Sequence, residues 1–76
     1  MTSPEELVAR AFGVAPHQIT SQTSNQNLPE WDSLGHITLI VELEAAYGVS
    51  LSPDETLQVT SVEAIKTLLA ARGVAW

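Results

Sequence analysis

Apolar residues recur along this chain in three blocks of helical spacing, separated by polar stretches that break the period. The first block is Leu7, Val8, Ala11 and Phe12. Ahead of it stands Ser3-Pro4-Glu5-Glu6, in which Ser3 is placed to cap, Pro4 suits the first helical position and Glu6 completes a capping box. Gly13 is the natural stop. From Val14 to Pro29 the period is lost, and residues 20–27 are all polar and uncharged. Such a run reads as a linker or as a long ordered loop. No separate domain precedes it, so an ordered loop with Ile19 and Leu28 as buried pins is expected.

The second block is the longest. Leu28-Pro29-Glu30-Trp31-Asp32 leads into it, with Asp32 or Ser33 as the N-cap, and the spacing predicts a helix from Ser33 to Tyr47 that stops at Gly48. Two apolar stripes run along this helix. Leu39, Ile40, Leu43 and Tyr47 form one that faces a core, and Leu34, Ile37 and Val41 form a second, offset around the axis. A helix apolar on more than one side is either deeply buried or has a partner surface, and so small a chain cannot bury it on all sides.

Val49-Ser50-Leu51 is a short extended link. Ser52-Pro53-Asp54-Glu55 repeats the start signal and opens a short helix through about Val59. Thr60-Ser61-Val62-Glu63 reads as another capping box, opening a last helix with Val62, Ile65, Leu68 and Leu69 inward, Arg72 in its last turn and Gly73 as its stop. Ala75 and Trp76 form a tail. No stretch has a strand pattern. The expected fold is a small all-α bundle with three main helices, one short helix before the last, and a long first loop.

Composition narrows the function. At 76 residues the chain is expected to be one domain, 1–76, near the lower size limit for an unstapled core. It has no Cys, hence no disulfide frame and no thiolate zinc site. Nine acids against three bases (Arg10, Lys66, Arg72) give a net charge of −6. That balance argues against nucleic acid and anionic membrane surfaces, and suits basic protein partners. No secretory signal and no membrane span is visible, so a cytoplasmic, free-standing, monomeric protein is expected.

The chemistry converges on Trp31-Asp32-Ser33-Leu34-Gly35-His36-Ile37. Ser33 sits at the first turn of the long helix, where backbone N–H groups and the positive end of the dipole favour an attached anion. Asp32 can supply the cap and leave the hydroxyl free for modification. The plainer alternative is that Ser33 only caps. A Ser33–His36–Asp32 hydrolase is disfavoured: Asp32 adjoins the serine and cannot orient the far side of the imidazole, and no nucleophile elbow is present. His17 and His36 lack partners at metal-ligand spacing. His36 is expected at the surface, and Trp31 as a packing anchor for the loop. Gly35 is expected to loosen the first turn by up to about 1 kcal/mol relative to Ala.

These residues resemble the acyl carrier protein family of phosphopantetheine-binding carriers. The resemblance covers nearly the whole chain. It rests on Asp32-Ser33-Leu34, on the run from Leu39 to Val49, on Val59 to Ile65, and on Phe12-Gly13-Val14 and Ile19-Thr20. It implies a four-helix bundle with a short third helix. It implies that a phosphopantetheinyl transferase, with magnesium, moves 4'-phosphopantetheine from coenzyme A onto Ser33 Oγ, beside Asp32. The arm then holds acyl or aminoacyl groups as thioesters for partners such as a loading ligase, acyltransferase or synthase, and the carrier itself catalyses nothing. On this resemblance Leu34, Ile37, Val41 and Glu44 form the partner surface, with a shelter for acyl chains between the second helix and its neighbours as a further expectation.

The chain departs from the fatty-acid branch of that family. Gly35, His36 and Thr38 stand where acids are common, Ala45 and Ala46 replace further acids, and Leu28-Pro29-Glu30-Trp31 replaces a Gly-rich approach. These departures point to a carrier in a specialised pathway and away from bulk fatty-acid synthesis. The alternative of another class is an acidic helical adaptor that binds partners and is never modified.

Overall fold

A computed structural model describes residues 3–76. Its elements are α1 (Pro4–Phe12), a single 3₁₀ turn (Pro16–Gln18), α2 (Ser33–Tyr47), α3 (Pro53–Gln58) and α4 (Val62–Ala71). This is the expected small all-α bundle with a short third helix. Among the described residues there is no strand, only an isolated antiparallel bridge between Ser24 and Ser61.

The caps explain the boundaries. Glu6 N–H donates to Ser3 Oγ at 3.2 Å to start α1. Ser52 and Glu55 close a complete capping box on α3, with Ser52 N–H on Glu55 Oε1 at 2.9 Å and Glu55 N–H on Ser52 Oγ at 3.2 Å. At α4 the expected box does not form. Ser61 is the cap, with Ala64 N–H on its Oγ at 3.0 Å, and Glu63 falls inside the first turn. The first loop is the reason: Asn25 N–H donates to Thr60 O at 3.0 Å and Val62 N–H to Thr23 O at 3.0 Å. Those two bonds hold Ser61 extended, at φ −155° and ψ 165°, so that it becomes the cap and the helix starts one residue later.

The loop itself is ordered by the polar residues that fill it. Thr20 N–H donates to Thr23 Oγ1 at 2.9 Å, Ser24 N–H to Asn27 Oδ1 at 2.8 Å, and Asn27 Nδ2 to Gln22 O at 2.9 Å. Short polar side chains thus satisfy a backbone that has no regular ladder. Ile19, Thr23 and Leu28 are buried beneath it.

Three of the helices, α1, α2 and α4, share one core, joined by Val59 just past α3. Leu7, Val8 and Ala9 meet Leu39 and Leu43, Val59, and Val62, Ile65 and Leu69, all of them at most 1% exposed. Ile40 and Tyr47 pack at its edge. Each of the three cations then ties one helix to another: Arg10 to Glu42 at 3.7 Å, Lys66 to Glu5 at 2.7 Å, and Arg72 to Glu55. The Arg72 guanidinium, helped by Ser52 N–H, holds the Glu55 carboxyl down at about 2. Solvent screens such partly exposed pairs, so each contributes little to stability and mainly fixes how the elements sit.

The approach to α2 is tightly fitted. The buried Trp31 ring lies on Phe12 with centroids 5.3 Å apart and planes tilted by 42°. Gly35 faces the same place. A Cβ on it would run into the Glu30 carbonyl oxygen and stand 2.8 Å from Phe12 Cε1. The expectation that Gly35 merely loosens the helix is therefore corrected: the glycine is what lets the 28–32 segment and α1 close on α2.

Two predictions follow from this packing. Gly35→Ala is expected to lower stability by about 1–3 kcal/mol despite alanine's better helix propensity, since a backbone oxygen cannot yield cheaply; urea denaturation measures it, and equal or higher stability would contradict it. For Glu55, a folded pKa held below the ordinary value of 4.5 means stabilisation that is complete above 4.5 and lost as pH falls towards about 2. The thermal advantage of the wild type over Arg72→Gln should shrink across that window in melts followed by circular dichroism, and a constant difference would count against the pair.

Candidate functional site

The site is built around the first turn of α2. Asp32, in extended backbone, takes the N-cap, and Gly35 N–H donates to its Oδ1 at 2.8 Å. Of the two candidate caps the structure selects Asp32. Ser33 becomes the first helical residue, with its side chain exposed. Among the described residues nothing bonds to its hydroxyl, and the Ser33 and Leu34 N–H groups have no helical acceptor.

The other serines sharpen the contrast. The chain has seven. Ser3, Ser52 and Ser61 are helix caps, and Ser24 Oγ accepts from Gln26 N–H at 3.1 Å. Ser21 and Ser50 lie outside the helices and cap none of them. Ser33 alone of the seven combines an uncommitted hydroxyl with the first turn of a long helix.

Two neighbours of Ser33 are fixed by each other. Trp31 Nε1–H donates to His36 Nδ1 at 3.1 Å, and His36 Nε2 bonds Thr56 O at 2.9 Å. An indole nitrogen only donates, so Nδ1 presents its lone pair and the ring proton belongs on Nε2. The surface role expected for His36 is thus corrected: it is half-buried and bound at both nitrogens. The anchoring role expected for Trp31 holds. A groove of about 450 Å³ opens beside Ser33, walled by Asn25, Trp31, His36, Leu57 and Thr60.

Along α2 the second apolar stripe is solvent-facing, with Leu34 77%, Ile37 62% and Val41 60% exposed. Leu57 on α3 is 75% exposed. Glu44 is half-buried, and its Oε2 accepts Leu51 N–H at 2.9 Å, which ties the exit of α2 to the α2–α3 link. His17 lies exposed in the 3₁₀ turn. Among the described residues no three acidic or histidine side chains gather as a metal site.

Sequence reasoning placed Ser33 in the first turn of α2, offered Asp32 as a cap and set Leu34, Ile37 and Val41 on an outward stripe. It missed the structural work of Gly35 and His36 and the burial of Thr23, because each depends on partners brought close only by the fold.

Comparison with known proteins agrees with this geometry. The family described as "Phosphopantetheine attachment site" matches residues 5–69. The chain is similar to an acyl carrier protein of Rubrobacter xylanophilus, 36% identical over 59 residues that cover 78% of this chain and 73% of the relative. Proteins of this kind are carriers and not catalysts, and they bear covalent 4'-phosphopantetheine. An exposed serine hydroxyl beside two free N–H groups and an open groove fits that group. The chain belongs to the phosphopantetheine-binding acyl carrier protein family.

Proposed function

We propose that this chain forms one acyl carrier domain, 1–76, whose Ser33 Oγ bears the 4'-phosphopantetheine arm. The observation that carries this reading is the division of labour at the helix start. Asp32 accepts the cap bond from Gly35, and Ser33 keeps an exposed, unbonded hydroxyl. The phosphodiester formed there gains from the helix terminus by roughly 0.3–1 kcal/mol at an exposed site. The phosphopantetheinyl transferase, and the acyl- or aminoacyl-loading ligase, acyltransferase or synthase that follows, then dock on Leu34, Ile37 and Val41. Glu44 continues the same helix face, with one carboxylate oxygen committed to Leu51.

A specialised pathway is the better assignment within the family. Between Ser33 and Val41 there is no acid, and the next one, Glu42, is engaged by Arg10. A partner steered by a dense acidic helix therefore finds little to hold, and apolar contact dominates. The protein acts in the cytoplasm as a monomer. Among the described residues no helix is long and apolar enough to cross a membrane. The exposed stripe also supports a second reading, an acidic helical adaptor that is never modified.

Incubation with coenzyme A, magnesium and a broad-specificity transferase, followed by intact mass, separates the two. One phosphopantetheine on the wild type and none on Ser33→Ala is expected; no gain with several transferases would favour the adaptor. Ile37→Arg is expected to lower kcat/KM for arm transfer by about ten-fold, the effect of losing a central apolar contact, while leaving the melting temperature unchanged. Transfer at the wild-type rate would remove Ile37 from the partner surface.

A further inference from the structure

The third helix is held in place by very little of its own. It has six residues, Pro53–Gln58, none of them buried, and its one large apolar side chain, Leu57, is 75% exposed. A helix this short does not persist alone in water. Three ties seat it. Val59, just past its end, is buried in the core; Glu55 pairs with Arg72 of α4; and the Thr56 carbonyl is bound by His36 at 2.9 Å. Among the described residues only the last of these ties joins α3 to the first turn of α2, where Ser33 stands.

That tie is directional. Trp31 is 4% exposed and packed on Phe12, so its indole N–H points from a fixed base. It occupies His36 Nδ1 and leaves Nε2–H for Thr56 O, which also accepts Val59 N–H at 3.3 Å. One carbonyl therefore closes the end of α3 and anchors it to α2. Leu57, the next residue, walls the groove beside Ser33. Leu39, Leu43 and Val59 belong to the one buried core, each with at most 1% exposure.

We infer that His36 is a positioning residue: with Trp31 it latches α3 to the first turn of α2, fixes Leu57 as the wall of the groove beside Ser33, and keeps the interior behind Leu39, Leu43 and Val59 closed, so that cargo is presented outside the bundle. The latch stands on the geometry alone; the statement about cargo rests on Ser33 as the attachment residue.

Amide exchange on the unmodified full chain tests the latch. Trp31→Phe keeps a ring against Phe12 and removes the N–H, and His36→Phe keeps a ring and removes both bonds. In each, the Thr56 and Val59 amides should exchange about five- to ten-fold faster, the effect of one or so net hydrogen bonds, with the α1 amides of Leu7 and Val8 unchanged. Unchanged α3 exchange, or equal acceleration everywhere, overturns the latch. So does a nitrogen spectrum placing the His36 proton on Nδ1 in the wild type. For the cargo, octanoyl-phosphopantetheine is loaded enzymatically from octanoyl-coenzyme A. The Leu39, Leu43 and Val59 methyl resonances should match those of the unacylated carrier in the wild type and move in His36→Phe. Movement in the wild type, or none in His36→Phe, overturns the closed interior. If intact mass shows no arm on Ser33, the attachment reading fails, and the exchange data still decide the latch.

Discussion

The hydrogen bond from Gly35 N–H to Asp32 Oδ1 decides where α2 begins, and the rest of the molecule depends on that register. A cap of this kind stabilises a helix by only about 1 kcal/mol. Its larger effect is positional. With Ser33 as the first helical residue, Leu39 and Leu43 turn inward, Leu34, Ile37 and Val41 turn outward, Gly35 meets the Glu30 carbonyl and Phe12, and His36 reaches α3. Had Ser33 been the cap, its hydroxyl would have been consumed by the helix it starts. Asp32 takes the local structural duty so that the adjacent serine carries none.

A chain of this size has little core to spare, and it is held by connections between elements more than by bulk. Each of its three cations joins two helices, and the first loop is stitched to Thr60 and Val62 through its backbone. Against that economy, four large apolar side chains around Ser33 stand open: Leu34, Ile37, Val41 and Leu57, each at least 60% exposed. Their burial would have added stability. Leaving them outside makes physical sense for a molecule whose work is to be gripped in turn by several enzymes, since each of them must find apolar surface that the fold has not used.

The helix limits and the place of Ser33 in the first turn of α2 could be read from the chain because they are set by neighbours in sequence. Pro4, Ser52-Pro53 and Asp32 mark starts, Gly13, Gly48 and Gly73 mark stops with positive φ, and the outward stripe follows from a period of 3.6. What escaped that reading is set by residues far apart. Ser61 displaces Thr60 as the cap of α4 because Thr23 and Asn25 hold the preceding strand-like link. Gly35 looked like a weakness until Phe12 and Glu30 were seen against it, and His36 looked idle until Trp31 and Thr56 occupied both its nitrogens. The 3₁₀ turn at Pro16–Gln18 gave no periodic signal, being too short to have one.

The central claim is that the cap on Asp32 leaves Ser33, and no other serine, poised for attachment. Fragmentation mass spectrometry of the chain after enzymatic phosphopantetheinylation tests it most directly, because it locates the arm among all seven serines at once. The account predicts the whole added mass on Ser33. An arm on Ser21 or Ser50, whose hydroxyls cap no helix and lie outside the first turn of α2, would contradict it.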